Sequence, residues 1–200
     1  MQWWLSPSRN LAPADAQALV RRFVEASRRA EITALMSLGR SAAELAEIVT
    51  EELCEACEAE VALIVGQRGS SAAPELVGAI GLTGDEHTVV LDDLFAMSAL
   101  ATEKPSVEVG KDLLGLGARS ALIAAATGAQ GERVVVGVAR LYDQPFDEAE
   151  VTLVNAVTRC VGHALERFWG REEVHRAQSQ LISSLLPLSP VAAREPVTDR

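Results

Sequence analysis

The sequence predicts an α+β fold: an antiparallel sheet of about five or six strands, with N- and C-terminal helices packed on one of its faces. Three observations point there. Short apolar runs bounded by turn formers fill the middle of the chain, and runs with apolar residues three and four apart lie at both ends. The third is residues 118–169, which read as strand, tight turn, strand, polar corner and long helix.

Before the sheet, Pro13 stands where a helix can begin, and Leu19, Val20, Phe23 and Ala30 fall near one face of residues 14–30. A second helical run passes through Ile32, Leu35, Met36 and Leu38. Gly39 then interrupts it, and Ser41 with Glu44 three residues on forms a capping-box pattern for a helix over 42–57. Residues 60–66 and 75–80 read as the first two strands, joined by a loop of turn formers. A looser connection follows, then a short helix over 93–102 and a third strand, Ser106 to Val109, started by Pro105. Lys111 to Gly117 is a Gly-rich link.

The remaining strands form a hairpin. Residues 120–126 are apolar, 127–132 supply the turn, and the return strand over 133–142 is rich in valine. Pro145 stops it. Asp147, Glu148 and Glu150 then place negative charge where the first turn of a helix favours it. From Val151 the period is helical, through Val154, Val157, Val161, Leu165 and Phe168, and Leu181 to Leu186 allow the helix to run on toward Pro187. The seam in between is poor, because Glu172, His175 and Ser179 occupy heptad-like places.

An apolar strand, a Gly-containing strand, a Pro145-Phe146-acidic corner and an amphipathic closing helix resemble the C-terminal half of a GAF domain, the small-molecule sensing module of many signalling proteins. The resemblance spans residues 32–170. It divides the chain into an N-terminal arm and helix (1–31), the GAF-like domain (32–170), a helical extension (171–186) and a tail without periodicity (187–200). It implies a stand-alone, non-enzymatic regulatory module that binds a small molecule or a partner protein. It also implies a homodimer whose paired terminal helices pass the signal to a separate output protein. Phe23, Leu35, Val161, Leu165, Phe168 and Trp169 are the candidate pairing residues. Leu94, Phe95, Met97, Val107, Leu113, Leu116, Arg119 and Tyr142 are the candidate pocket lining, with Arg119 as its fixed cation. A second reading fills that pocket with core side chains and leaves a protein-interaction scaffold.

The resemblance also narrows the ligands. Free methionine sulfoxide reductases and bilin-attaching photosensors of this family use cysteines from the pocket half, and residues 58–159 contain none. Cyclic-nucleotide members carry an Asn-Lys-Phe-Asp-Glu set. Phe146, Asp147 and Glu148 match part of it, but no Asn-Lys pair precedes them. His87 is the lone histidine of the pocket half, and in Gly84-Asp-Glu-His it reads as a solvated turn residue rather than a haem ligand.

Cysteine chemistry is the third class. Cys54-x-x-Cys57 with Cys160-x-x-His163 has the spacing of a structural zinc set. On antiparallel helices, however, Cys160 and Cys54 would stand about 12 Å apart along the axis at about 1.5 Å per residue. Buried cysteines acting as small hydrophobes are preferred, and no metal or cofactor is expected. Three cysteines without a disulfide-framework spacing suit a reducing cytoplasm. No run is apolar for the roughly 20 residues that cross a bilayer. The net charge of −10 is concentrated in residues 31–165, with eight basic against 21 acidic side chains. An acidic centre of this kind repels nucleic-acid phosphates, so nucleic acid is not an expected partner. Trp3 and Trp4 are large apolar groups that must be covered, by this chain or by a partner; a membrane is the weaker candidate.

Overall fold

The computed structural model describes residues 13–83, 86, 90, 91, 94, 105–129 and 131–185. Helices α1 (Pro13–Met36) and α2 (Ala42–Ala56) lead into β1 (Val61–Gln67) and β2 (Glu75–Ile80). Strands β3 (Ser106–Leu113), β4 (Ala118–Thr127) and β5 (Arg133–Arg140) follow, and α3 (Glu148–Leu185) closes the chain. The strands form one sheet in the order β2-β1-β5-β4-β3, antiparallel at each pairing. The predicted α+β fold stands, with five strands among the described residues.

The last strand in sequence is the middle strand in space. Val134, Val135, Val136 and Val138 of β5 are buried on alternating faces, as a central strand with cover on both sides requires. Its even positions join Ala62, Ile64, Leu122 and Ala124 in a core shared with α1, α2 and α3. Its odd positions join Leu63, Val65, Ala121 and Ile123 in a second core on the opposite face, closed by Val90, Leu94 and Leu114. Glu86, Val90, Leu91 and Leu94 lie in helical geometry. All three long helices thus pack on one side.

Several local expectations change. Residues 13–36 are a single helix rather than two runs, since nothing between Ala30 and Ile32 breaks the backbone pattern. β3 runs on to Leu113, with an irregularity in its ladder to β4 between Val109 and Leu113. The Ser41 hydroxyl does accept from the Glu44 N–H, but the Glu44 carboxylate reaches back to the N–H of Arg40 rather than of Ser41. The full reciprocal box stands instead at the start of α3. There Asp147 Oδ1 accepts from the Glu150 N–H, and Glu150 Oε2 accepts from the Asp147 N–H. Apart from Leu94, the helix expected over 93–102 lies outside the described residues, as do Trp3, Trp4, His87 and residues 187–200.

α2 lies so close on β2 that only glycine fits beneath it. A Cβ at Gly78 would stand 2.6 Å from Ala46 Cβ and 3.3 Å from the Ala46 carbonyl carbon. Gly78→Ala is therefore expected to lower stability by about 1–3 kcal/mol through overpacking. In urea unfolding it should shift the midpoint with an unchanged slope. Adding Ala46→Gly should recover part of the loss by removing the opposing methyl, less the cost of a glycine inside a helix. An unshifted midpoint for Gly78→Ala would show that the helix yields freely.

Candidate functional site

The face of the sheet away from the long helices is the candidate ligand face. Its floor consists of Leu63, Val65, Ala121, Ile123, Ala125, Val135, Gly137 and Ala139, and strand alternation selects them. At its centre the missing side chain of Gly137 makes a dip. Leu94 fills it: a Cβ on Gly137 would lie 2.8 Å from Leu94 Cδ1 and 3.4 Å from Leu63 Cδ1. Leu94 is fully buried, and Leu113 and Leu116 pack against the same cluster. Three of the eight expected lining residues therefore meet on one face.

Val107, Tyr142 and Arg119 do not join them. Val107 pairs with Leu122 in the β3–β4 ladder, which puts it on the helix side of the sheet, and it is 37% exposed. Tyr142 lies past the end of β5, where its hydroxyl donates to the Glu58 carbonyl at 2.6 Å. Arg119 is exposed on β4 and is no enclosed cation. Phe95 and Met97 lie outside the described residues. The described floor is apolar throughout, so what it offers a ligand is shape and dispersion rather than charge.

The strongest electrostatic feature is elsewhere. Arg140, the last residue of β5, is 1% exposed on the helix side. Its Nε and Nη2 donate to the Cys57 carbonyl at 3.2 and 2.6 Å. Nη1 donates to the carbonyls of Gln144 and Pro145 at 3.2 and 3.1 Å, and Nη2 also donates to Glu150. All five guanidinium N–H groups are thereby used. The guanidinium also stacks on Phe146, 4.2 Å from the ring centre. One side chain thus ties the end of α2, the corner at Pro145 and the start of α3 to the central strand. By local pattern alone it is one more residue of a strand over 133–142. Its signal was the period: Arg140 falls in step with the inward Val134, Val136 and Val138, and a buried arginine must find several acceptors.

Of the expected pairing residues, Phe23 is 72% exposed, while Leu35 and Phe168 are half-buried. Val161 and Leu165 are fully buried and Trp169 is 6% exposed, all three inside this chain's own core. They cannot face a second copy, because the three-to-four-residue period marks the buried stripe of α3 whatever it is buried against. Among the described residues, the large apolar side chains that α3 leaves exposed are Val174, Leu181 and Ile182.

Cys57 lies in the core and Cys54 and Cys160 pack at its edge, whereas His163 is 82% exposed beside Glu166. Among the described residues no three of His, Cys, Asp and Glu come together as a metal site. Burial pushes the Cys57 thiol up to about 12, with the Glu150 carboxylate adding to it, and burial with Glu60 pushes Cys54 up to about 11. A raised pKa keeps the thiol protonated and removes the nucleophilic form. At pH 8 both should resist alkylation in the folded protein and react at once in denaturant, counted by mass. Rapid labelling of Cys57 in the native state would contradict this. The raised folded values also carry a sign for stability: it is full below the unfolded thiol pKa near 9.0 and falls as pH rises toward about 12.

The fold is that of a GAF domain. The chain is similar to the GAF domain from Acinetobacter phosphoenolpyruvate-protein phosphotransferase, with a TM-score of 0.62 and 12% identity over 75% of this chain and 98% of that one. The GAF domain of the Coxiella burnetii phosphoenolpyruvate-protein phosphotransferase gives 0.57 and 12%, over 74% and 96%. The phycoerythrobilin-bound GAF domain from a cyanobacterial phytochrome gives 0.55 and 11%, over 74% and 97%. At these identities the likeness is one of fold. No protein-family model and no curated protein matches the sequence. Among the described residues no helix is long and apolar enough to cross a membrane.

Proposed function

We propose that the chain is a non-enzymatic, GAF-like regulatory module of the cytoplasm. It takes up a small molecule or a partner protein and passes the event on through terminal helices paired with those of a second copy. The observation that carries this reading is the division of α3. Its first part is packed behind the sheet, and residues 170–184 are exposed throughout. A helical segment of about 15 residues is marginal alone in water, so the projecting part gains from a partner. A second copy would offer it the same Val174, Leu181 and Ile182. The output then lies in another protein, reached through these helices. A covalently attached bilin is not proposed, since residues 58–159 hold no cysteine. The raised thiols of Cys54 and Cys57 lend no support to a cysteine-based redox or metal protein.

The second reading, an interaction scaffold without a ligand, is favoured by one contact: Leu94 occupies the dip at Gly137, where a ligand would otherwise rest. Native mass spectrometry against the denatured mass separates the two. A dimer with additional non-covalent mass supports the sensor. A dimer at the bare protein mass moves the choice to the scaffold. A monomer removes the helix-pairing mechanism.

A further inference from the structure

The exposed half of α3 begins at one residue. Among the described side chains of the helix Trp169 is the last buried one, and Gly170 follows it. Nothing in the packing asks for glycine there, since an added Cβ would meet no atom within 4 Å. Gly162, the other glycine of α3, lies in the packed part, where its Cβ would touch Ala126 at 3.5 Å. Inside a helix glycine weakens the backbone by the freedom it restores. At Gly170 that weakness falls on the boundary between the held and the projecting segments.

Contacts from two segments at the same end of the sheet hold the helix at this boundary. Arg68, just past β1, donates from Nη1 to Glu172 Oε2 at 2.6 Å and from Nε to Glu75 at 3.0 Å. Its guanidinium lies 5.4 Å from the centre of the Trp169 ring, which sits over Gly66 so closely that a Cβ there would be 2.7 Å away. In the β4–β5 turn the N–H of Ala129 donates to Glu166 Oε1 at 3.0 Å. Glu166 and Trp169 precede Gly170 and Glu172 follows it, so Arg68–Glu172 is the pair that ties the far side of the glycine to the sheet; within the helix, Arg171 also reaches back across it, over the Phe168 ring at 4.8 Å and to the Arg167 carbonyl at 3.3 Å. The partners of the Arg68–Glu172 pair are 37% and 49% exposed. An ion pair of that exposure is weak and is screened by salt.

We propose that Gly170 is a joint in α3 and that Arg68–Glu172 is the catch that holds it straight. The loop after β1 then decides the direction in which residues 171–185 leave the domain. Trp169 stays seated in either state and serves as the fixed side of the joint. This goes beyond the regulatory reading and does not depend on a ligand, because the joint and its catch are complete in the chain by itself.

The test places spin labels at Arg159→Cys and Gln178→Cys, with Cys54, Cys57 and Cys160 changed to Ala, in full-length protein diluted with unlabelled chain. An unbroken helix sets the two backbones about 28 Å apart. The expected result is one narrow distance distribution at low salt. It should broaden toward shorter distances in Glu172→Gln and in about 1 M salt, and Gly170→Ala should restore the narrow form in the Glu172→Gln background. A distribution that stays narrow in Glu172→Gln overturns the proposal, as does broadening that Gly170→Ala leaves in place. Hydrogen exchange on the chain with its natural cysteines gives a second reading should the cysteine-free protein not fold. Amides 171–174, whose helical bonds cross Gly170, should exchange about tenfold faster in Glu172→Gln, with less change over 175–180. A smooth gradient from the helix end inward, indifferent to both substitutions, is fraying and counts against a joint.

Discussion

Arg140→Met should lower the unfolding free energy by about 3–5 kcal/mol, the range for breaking a buried ion pair from one side. Methionine fills much of the volume but leaves the Cys57, Gln144 and Pro145 carbonyls and the Glu150 carboxylate without their common donor. Arg140→Lys should recover little. An ammonium presents its three donors from one point and cannot reach acceptors spread around a planar fork. Glu150→Gln should cost less than Arg140→Met, because an amide oxygen still accepts from the guanidinium and no buried charge loses its last partner. Urea unfolding of the three variants against the parent supplies the comparison. A loss below about 1 kcal/mol for Arg140→Met would mean that water replaces the guanidinium and that the clamp is not structural.

Leu94→Ala should cost about 2–5 kcal/mol, as for other large-to-small changes in a core, and the cost reports what the ligand face contains. Leu94 reaches the floor at Gly137, so its truncation leaves an apolar void lined by Leu63, Ile123 and Val135. Such a void stays dry and accepts small apolar molecules. Benzene or a similar probe should raise the melting temperature of Leu94→Ala and leave the parent unchanged. Gly137→Ala in the Leu94→Ala background should return part of the lost stability, because the new methyl enters the volume that Leu94 Cδ1 vacated. A parent already stabilised by the probe would show that the face holds open room beside Leu94. That result would strengthen the sensor over the scaffold.

Local pattern made much of the fold legible. β2 runs over Glu75–Ile80, the range read from the sequence, and the Pro145-Phe146-acidic corner does open a helix. Turn chemistry and apolar period are properties of neighbouring residues, and a single sequence displays them. The site was less legible because its members come from both halves of the chain. Val107 and Leu113 sit on one strand, yet the irregularity between Val109 and Leu113 separates their faces, and no local period announces it. Val161, Leu165 and Trp169 show that a buried stripe is visible in sequence while its covering partner is not. The corner residues were legible as a helix start. Arg140, ten residues before Glu150, could have been joined to them only by asking where a buried cation finds its acceptors.

The thinness of the sheet has one more consequence. Gly137, beneath Leu94, is bonded to Val136 and Val138, which belong to the core under α3. Three residues after Gly137, the same strand ends at the Arg140 guanidinium that grips the start of that helix. A body pressing on the floor is therefore a single peptide link from the back wall. Any push that moves β5 bodily is felt by α3 without passing through a loop. In mechanical terms the middle strand is a rod shared by two packed cores, and the long helix is seated on one of them.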